Sequence, residues 1–341
     1  MTLVDKVALI GSGSWGTAAS GLVAPHVREL CMWTRTTTVA EAINATHHNP
    51  RHLTDYELPE RVRASDSLES ALDGASAIVM AVPSAFLRAT ARSMAPHVGQ
   101  DTPVIVLTKG IEPGTHLLMA DVLAGELGNP ARMVALSGPN HAEEICLGKV
   151  SAAVAASRDE GLACLSQGLF MSPTFRVYQT NDLTGVEVCA AVKNVMAIAC
   201  GICVGLGFGD NTLAALMTRG LAEIGRISSA LGGEAITCMG LAGMGDLVAT
   251  CTSQHSRNRT FGEAFARGES LASYERRTGM VVEGARTALS AWELACELSI
   301  EAPLTTAVHA ILYGNARLDE VVDSLLDRRA RVEFYGLTTN E

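Results

Sequence analysis

The sequence predicts an α/β N-terminal domain built on a mainly parallel sheet, followed by an all-α C-terminal domain. Three observations carry this. A glycine-rich run, Gly11-Ser12-Gly13-Ser14-Trp15-Gly16, follows an apolar strand directly and opens a helix. Short β-branched runs then alternate with amphipathic or Ala-rich segments, the pattern of parallel βαβ units. From about Asn181 that alternation gives way to helical periodicity as far as Asp327. The boundary falls near 180, giving domains 1–180 and 181–341, and 341 residues is itself long for one core.

In order, the candidate strands are Val7–Ile10, Glu29–Trp33, Ala77–Val82, Val104–Leu107, Met133–Ser137, Ser151–Ala155 and Phe175–Tyr178. Helical segments such as Thr17–Ala24 and Phe86–Ala95 lie between them. The second domain is read as helices that include Glu187–Val204, Asn211–Leu231 and Gly284–Leu298.

Composition narrows the function classes. With 26 basic against 36 acidic residues the formal net charge is −10, which argues against a general nucleic-acid or anionic-membrane partner. Nine cysteines are scattered with no CxxC pair, and several sit among apolar helical residues as small hydrophobes. They form no disulfide or zinc framework, no metal is expected, and cytoplasmic residence is favoured. The N-terminus has no basic n-region and is not read as a signal peptide. The apolar stretch around Lys193 is interrupted by Lys193, Asn194 and glycines, so it reads as a soluble-core helix and not a membrane span.

The glycine loop has the context of a dinucleotide site. Gly11 makes the tight turn, Gly13 lets backbone approach a pyrophosphate, and Gly16 allows helix to pack on strand, with phosphates on the helix N-terminus. The acidic residue expected about 20 positions on is missing. The second strand ends Met32-Trp33-Thr34-Arg35, placing a guanidinium where a carboxylate would select NAD. Arg35 can pair with a 2′-phosphate and stack on adenine, so NADPH is expected to serve at least as well as NADH; the competing reading is a solvated surface arginine.

Lys193 lies within Glu187–Val204, EVCAAVKNVMAIACGICV, which is otherwise almost entirely small and apolar. Lysine is seldom fully buried unless paired or used, and desolvation disfavours its charged form, moving it toward proton-transfer chemistry. Taken alone, the helix also fits a lysine that snorkels to water.

Ten or so longer strings settle that choice by resemblance. GSGSWGTA at 11–18, NPRHL at 49–53, LP at 58–59, AVPS at 81–84, TKGIE at 108–112 and SGPNHAEE at 137–144 lie in the first part. AAVKNVMAIACG at 190–201, GLGFGDNT at 205–212, RGLAEIGR at 219–226, GLAGMGDLVATCTSQHSRNR at 240–259 and VVEG at 281–284 follow. In order and spacing the chain resembles bacterial-type NAD(P)-dependent glycerol-3-phosphate dehydrogenase over nearly its whole length, fading after about residue 330.

The resemblance implies an N-terminal NAD(P)-binding Rossmann domain and an all-helical substrate domain, with the active site in the cleft between them. It implies reversible reduction of dihydroxyacetone phosphate to sn-glycerol 3-phosphate with NADPH or NADH, supply of phospholipid synthesis, and a homodimer without metal. Lys193 matches the catalytic lysine that protonates the C2 oxygen as hydride arrives. Lys109, at a strand end, matches a lysine contacting cofactor and substrate, which by itself would be equally a surface residue. Asp246 matches the acid that orients substrate hydroxyls and the catalytic lysine; its rival reading is a helix N-cap.

Ser256, Arg257 and Asn258 match the residues that take the substrate phosphate, with Arg257 also near the cofactor, while Arg259 is read as less secure and open to being a surface charge. Gly138, Asn140 and Ala142 match a further segment, Gly138 and Asn140 toward substrate and Ala142 toward cofactor. Asn140 and His141 depart from the usual Ser or Thr and Phe, so the contact at 140 is the less defined one, and His141 is read as structural. Ser14 and Trp15 flank the diphosphate, and Val281 and Glu283 reach the cofactor from the second domain; Glu283 alone would pass as an ordinary helix-start glutamate. Two alternatives remain: a related dehydrogenase acting on another small oxo or hydroxy acid, and a non-catalytic dinucleotide sensor.

Overall fold

The computed structural model describes residues 3–329, 331–333 and 335–337, so the outer ends assigned to the two domains, Met1 and Glu341, lie outside the described residues. The chain forms two compact units. One runs up to Lys109 and resumes over Met119–Leu183; the other comprises Gly110–Leu118 and the chain from Thr184 onward. The sequence reading kept Gly110–Leu118 in the first domain, whereas the structure groups it with the helices.

The first unit is one eight-stranded sheet. Its strands are β1 (Val4–Ile10), β2 (Val27–Trp33), β3 (Val62–Ser65), β4 (Ala77–Met80), β5 (Val104–Val106), β6 (Met133–Ser137), β7 (Ser151–Ala156) and β8 (Phe175–Thr180). They lie in the order β3-β2-β1-β4-β5-β6-β7-β8. Every pairing is parallel except β6 with β7, so the last two strands run against the first six. β4, β5, β6 and the last four residues of β1 are wholly buried, which is why they read as unbroken apolar runs: helices cover both faces. The strand order reverses between β1 and β4, and ligands of such sheets bind outside the carboxyl ends of the strands at that switch.

β3 is absent from the sequence reading. It has four residues, Val-Arg-Ala-Ser, with Arg63 exposed and only two positions buried, so it carries little apolar signal and gains its place by pairing with β2. Ala81 and Val82, expected as strand, lie beyond β4; the amide of Ala81 still donates to the carbonyl of Ile10 at 2.8 Å.

The second unit is helical apart from Gly110–Leu118, where Ile111 and Leu118 form an isolated antiparallel bridge. Its axis is Leu183–Gly205, a 23-residue helix of which Val186–Cys200, except Glu187, Lys193 and Asn194, is a buried apolar stretch. Small residues let other helices come close. A Cβ on Gly201 would sit 2.0 Å from the carbonyl oxygen of Arg259, and one on Gly262 would sit 2.3 Å from that of Ile198, so Leu183–Gly205 and Arg257–Ala266 cross backbone on backbone. Glu223, fully buried on helix Asp210–Ala230, accepts the amides of Leu304 and Thr305 at 2.8 Å each and so caps helix Pro303–Leu312. Burial pushes its carboxyl up, against these hydrogen bonds. All nine cysteines are unbridged thiols.

Candidate functional site

The glycine loop of the first unit has the geometry its pattern predicts. Gly11 has φ 118°, and a Cβ there would lie 2.7 Å from the carbonyl oxygen of Ala81. A Cβ on Gly16 would lie 2.1 Å from the carbonyl oxygen of Gly11. Gly13 differs from both: nothing stands within 4 Å of the position its Cβ would take. The turn therefore needs glycine at 11 and 16 to close and leaves open space over 13, where a pyrophosphate can approach the backbone. Helix Ser14–Val23 starts immediately after it. Trp15 is half-buried, and its indole Nε1 is buried without a hydrogen-bond partner.

A cavity of about 440 Å³ opens at the carboxyl ends of β1 and β2. Gly11, Gly13 and Arg35 line it, together with Phe86, which sequence reasoning missed; Ser14, Trp15 and Gly16 are not among its lining residues. The Arg35 guanidinium lies 5.8 Å from the centroid of the Phe86 ring, a cation–π platform of a kind on which a base can stack. The dinucleotide expected from the sequence fits this cradle.

Lys109, just beyond β5, and Asn140, just beyond β6, meet past the carboxyl ends of these neighbouring strands. The Lys109 Nζ donates to the Asn140 Oδ1 at 3.5 Å. The Asn140 Nδ2 is buried and has no partner, a donor available for a ligand oxygen. Gly138 holds the segment with φ 156°, and a Cβ there would lie 2.6 Å from the carbonyl oxygen of Ala152. His141 occupies the cap position of the short helix Ala142–Cys146, its carbonyl accepting the amides of Glu144 and Ile145 at 3.1 Å each. Ala142 is buried at the first helical position.

In the second unit Lys193 and Asp246 form a buried ion pair, their side chains 7% and 4% exposed. The Lys193 Nζ donates to the Asp246 Oδ1 and, at 2.8 Å, to the Thr250 Oγ1. Thr250 in turn donates to the Asp246 carbonyl at 2.6 Å, one helical turn back. Lys193 is thus not left alone among apolar groups, as its helix suggested: a carboxylate offsets the cost of its burial. Asp246 follows a π-turn, Leu241–Gly245, and begins helix Asp246–Thr252. The cap position belongs to Gly245, so the rival N-cap reading of Asp246 does not hold. A Cβ on Gly243 would lie 2.1 Å from the Cys238 carbonyl oxygen, so the π-turn packs against the preceding backbone and fixes where Asp246 begins.

The Ser256–Arg259 segment starts helix Arg257–Ala266. Ser256 is buried and caps it, its Oγ accepting the Arg259 amide at 3.3 Å. Arg257 is exposed at the first helical position. Asn258 is buried, its amide donating to the Asn194 Oδ1 and its carbonyl oxygen accepting the Gly284 amide, both at 2.9 Å. The reading of Arg259 as a surface charge is corrected: its side chain is 14% exposed and pairs with Glu263 at 3.0 Å. Val281 and Glu283 are half-buried, Glu283 opening helix Glu283–Glu297 next to the Gly284 that Asn258 holds. Thr250 and Asn194 were missed because their contacts join positions 57 and 64 residues apart, a link that no local pattern carries.

Chemically, each unit offers a distinct set: a phosphate cradle with a lysine and an amide donor in the first, a buried lysine–carboxylate pair beside a capped, arginine-bearing helix start in the second. Burial pushes the thiols of Cys146 and Cys203 up to about 11, which disfavours thiolate chemistry at those two positions.

Comparison with known proteins agrees over both units. Residues 6–163 match the model of the NAD-dependent glycerol-3-phosphate dehydrogenase N-terminus, and residues 182–323 that of its C-terminus. The glycerol-3-phosphate dehydrogenase (NAD(P)+) of Shouchella clausii is 41% identical over 337 residues, covering 98% of this chain and 99% of that protein. A second such enzyme, from Salinibacter ruber, is 44% identical over 332 residues, covering 97% and 96%. The crystal structure of glycerol-3-phosphate dehydrogenase from Coxiella burnetii superposes with a TM-score of 0.89 at 36% identity, covering 95% of this chain and 99% of that one.

Proposed function

The chain belongs to the NAD-dependent glycerol-3-phosphate dehydrogenase family, and from that premise we propose which of its residues carry the reaction and in what setting. It is an oxidoreductase that reversibly reduces dihydroxyacetone phosphate to sn-glycerol 3-phosphate with NADH or NADPH. The observation that carries the residue assignment is the buried Lys193–Asp246 pair with Thr250 on the same ammonium.

When bound, the dihydronicotinamide supplies a hydride to the C2 carbon of the ketone. Lys193 gives its proton to the C2 oxygen as negative charge develops there, and recovers one from the alcohol in the reverse direction. Asp246 and Thr250 hold the ammonium in one orientation, so that it is aimed before substrate arrives. Lys109 adds positive charge and the Asn140 Nδ2 supplies a hydrogen bond to substrate oxygen. Arg257, with Ser256 and Asn258 at the same helix start, takes the phosphate. Gly11, Gly13, Ser14, Trp15 and Gly16 cradle the diphosphate and Arg35 the adenosine end, with Lys109, Ala142, Arg257, Val281 and Glu283 toward the rest of the cofactor.

The product is the backbone of glycerophospholipids, so we assign the enzyme to their supply, in the cytoplasm and as a homodimer. Among the described residues Leu183–Gly205 is the one helix long and apolar enough to cross a membrane, and 83% of its apolar window is buried inside the structure. Light scattering on the purified protein tests the dimer.

The deciding assay is NADPH oxidation on adding dihydroxyacetone phosphate, beside an NADH parallel and a pyruvate control. Rapid turnover with the phosphorylated ketone alone is expected. Cofactor binding without turnover, or turnover of pyruvate, would overturn the substrate assignment.

A further inference from the structure

The cavity at the ends of β1 and β2 holds more positive charge than the glycine loop and Arg35 account for. Arg35, Arg51 and His52 all line it, and no aspartate or glutamate does among the described lining residues. The chain as a whole carries a formal charge of −10, so two guanidiniums on one carboxylate-free cavity stand against the prevailing sign. Neither is committed elsewhere. Arg35 touches the Phe86 ring, and Arg51 makes no side-chain hydrogen bond or ion pair with any described residue.

Arg51 is nonetheless placed. Asn49, with none of its surface exposed, fixes the segment that carries it. The Asn49 Nδ2 donates at 2.8 Å to the Ser12 carbonyl, inside the glycine loop, and at 2.8 Å to the Thr17 Oγ1 on the helix that follows. Its Oδ1 accepts the amides of Arg51 at 3.0 Å and His52 at 3.2 Å. One carboxamide therefore uses both donor hydrogens and both lone pairs to lock the backbone of Arg51 to the loop that approaches the diphosphate. A free, charged fork on a fixed backbone, beside a second such fork at the end of β2, suits a dianionic phosphate in a way that a ribose hydroxyl does not require.

We propose that Arg51 is a specificity-determining residue that, together with Arg35, holds the 2′-phosphate of NADPH, with Asn49 as its positioning residue. The inference rests on the dinucleotide reading of this cavity and extends it to a residue outside the glycine motif. It concerns cofactor choice only and is independent of which ketone is reduced.

The test is calorimetric titration of the intact protein and of Arg51→Ala with two fragments, adenosine 2′,5′-bisphosphate and adenosine 5′-monophosphate. The intact protein is expected to bind the bisphosphate at least tenfold more tightly. Arg51→Ala should shrink that ratio about tenfold, and Arg51→Lys should restore part of it. The ratio of kcat/KM for NADPH over NADH should fall in parallel. Arg51 is exposed, so folding is not at stake. Equal weakening of both fragments would place Arg51 on the phosphate they share and overturn the proposal. An unchanged ratio would leave it a solvated arginine and overturn it too. If the fragment pattern holds while dihydroxyacetone phosphate is not turned over, the substrate reading fails and this one stands.

Discussion

Asn258 donates from its Nδ2 to the Oδ1 of Asn194 across 2.9 Å, and Asn194 is the residue next to Lys193. The helix start proposed to take the substrate phosphate is thereby bolted to the helix that carries the proposed acid–base lysine. The same Asn258 accepts the Gly284 amide at 2.9 Å, which brings the start of Glu283–Glu297 into the joint. Asn258→Leu should leave a buried acceptor and a buried donor unpaired, at about 1–3 kcal/mol each. Urea denaturation is expected to show that loss of stability. An unchanged midpoint would mean that water or a neighbour replaces the amide.

Lys193→Ala is expected to lower kcat by roughly 10²–10⁴-fold while NADPH affinity, followed by fluorescence titration, stays within about twofold. Unchanged turnover in a folded variant would remove Lys193 from the chemistry. Asp246→Asn keeps the shape but strands a buried ammonium, so it should cost both activity and about 3–5 kcal/mol of stability. The two losses are separated by measuring kcat under conditions where the variant remains folded.

Asn140 offers a sharper contrast. Because its Nδ2 has no partner in the free protein, Asn140→Ala removes no intramolecular bond from that atom. Its Oδ1 loses only the long 3.5 Å bond from Lys109, so thermal stability should change little, whereas the KM for dihydroxyacetone phosphate should rise about tenfold, as for a lost hydrogen bond to a charged ligand. A large fall in melting temperature with an unchanged KM would refute the assignment.

His116 gives the helical unit a pH-dependent fastening. Its Nε2 lies 3.1 Å from Glu293 and its Nδ1 3.0 Å from Glu297, both on helix Glu283–Glu297. Burial pushes the imidazole down, but hydrogen bonds and charge from the two glutamates outweigh it and hold it above its ordinary 6.5. A folded-state pKa above the unfolded one means the stabilisation is fully present below about 6.5 and is lost as pH rises through the raised value. Melting temperature should therefore decline from pH 6 to pH 8.5 more steeply in the natural protein than in His116→Gln. Parallel profiles would show that the pair contributes nothing, the common fate of partly exposed ion pairs.

What the sequence disclosed depended on how local the signal was. The buried strands read as apolar runs and the glycine turn as a pattern, because both are written in consecutive residues. Lys193 stood out as the one basic residue in a helix of mostly small apolar residues. Its partner Thr250 did not, being an ordinary threonine whose role arises only when two helices meet. Asn49 likewise looks like a turn residue until both faces of its amide are seen to be engaged. Arg259 misled in the opposite sense: an arginine in a polar string looks solvated, and the backbone crossing at Gly201 and Gly262 brings its segment against Leu183–Gly205. β3 was invisible because its pairing with β2, and not its own composition, makes it a strand.

The excursion of Gly110–Leu118 out of the sheet unit and into the helical one has a consequence for how the molecule comes into being. A nascent chain completes all eight strands by Thr180, yet the nine residues inserted between Lys109 and Met119 belong with helices not yet made. Glu293 and Glu297, which hold His116, emerge more than a hundred residues later. Half-proteins cut at the boundary near 180 would each lack something: the first would carry an orphaned loop, the second a vacancy on Glu283–Glu297. The two units are thus distinct as cores but interleaved as heredity, and recombination could exchange neither one whole by a single crossover.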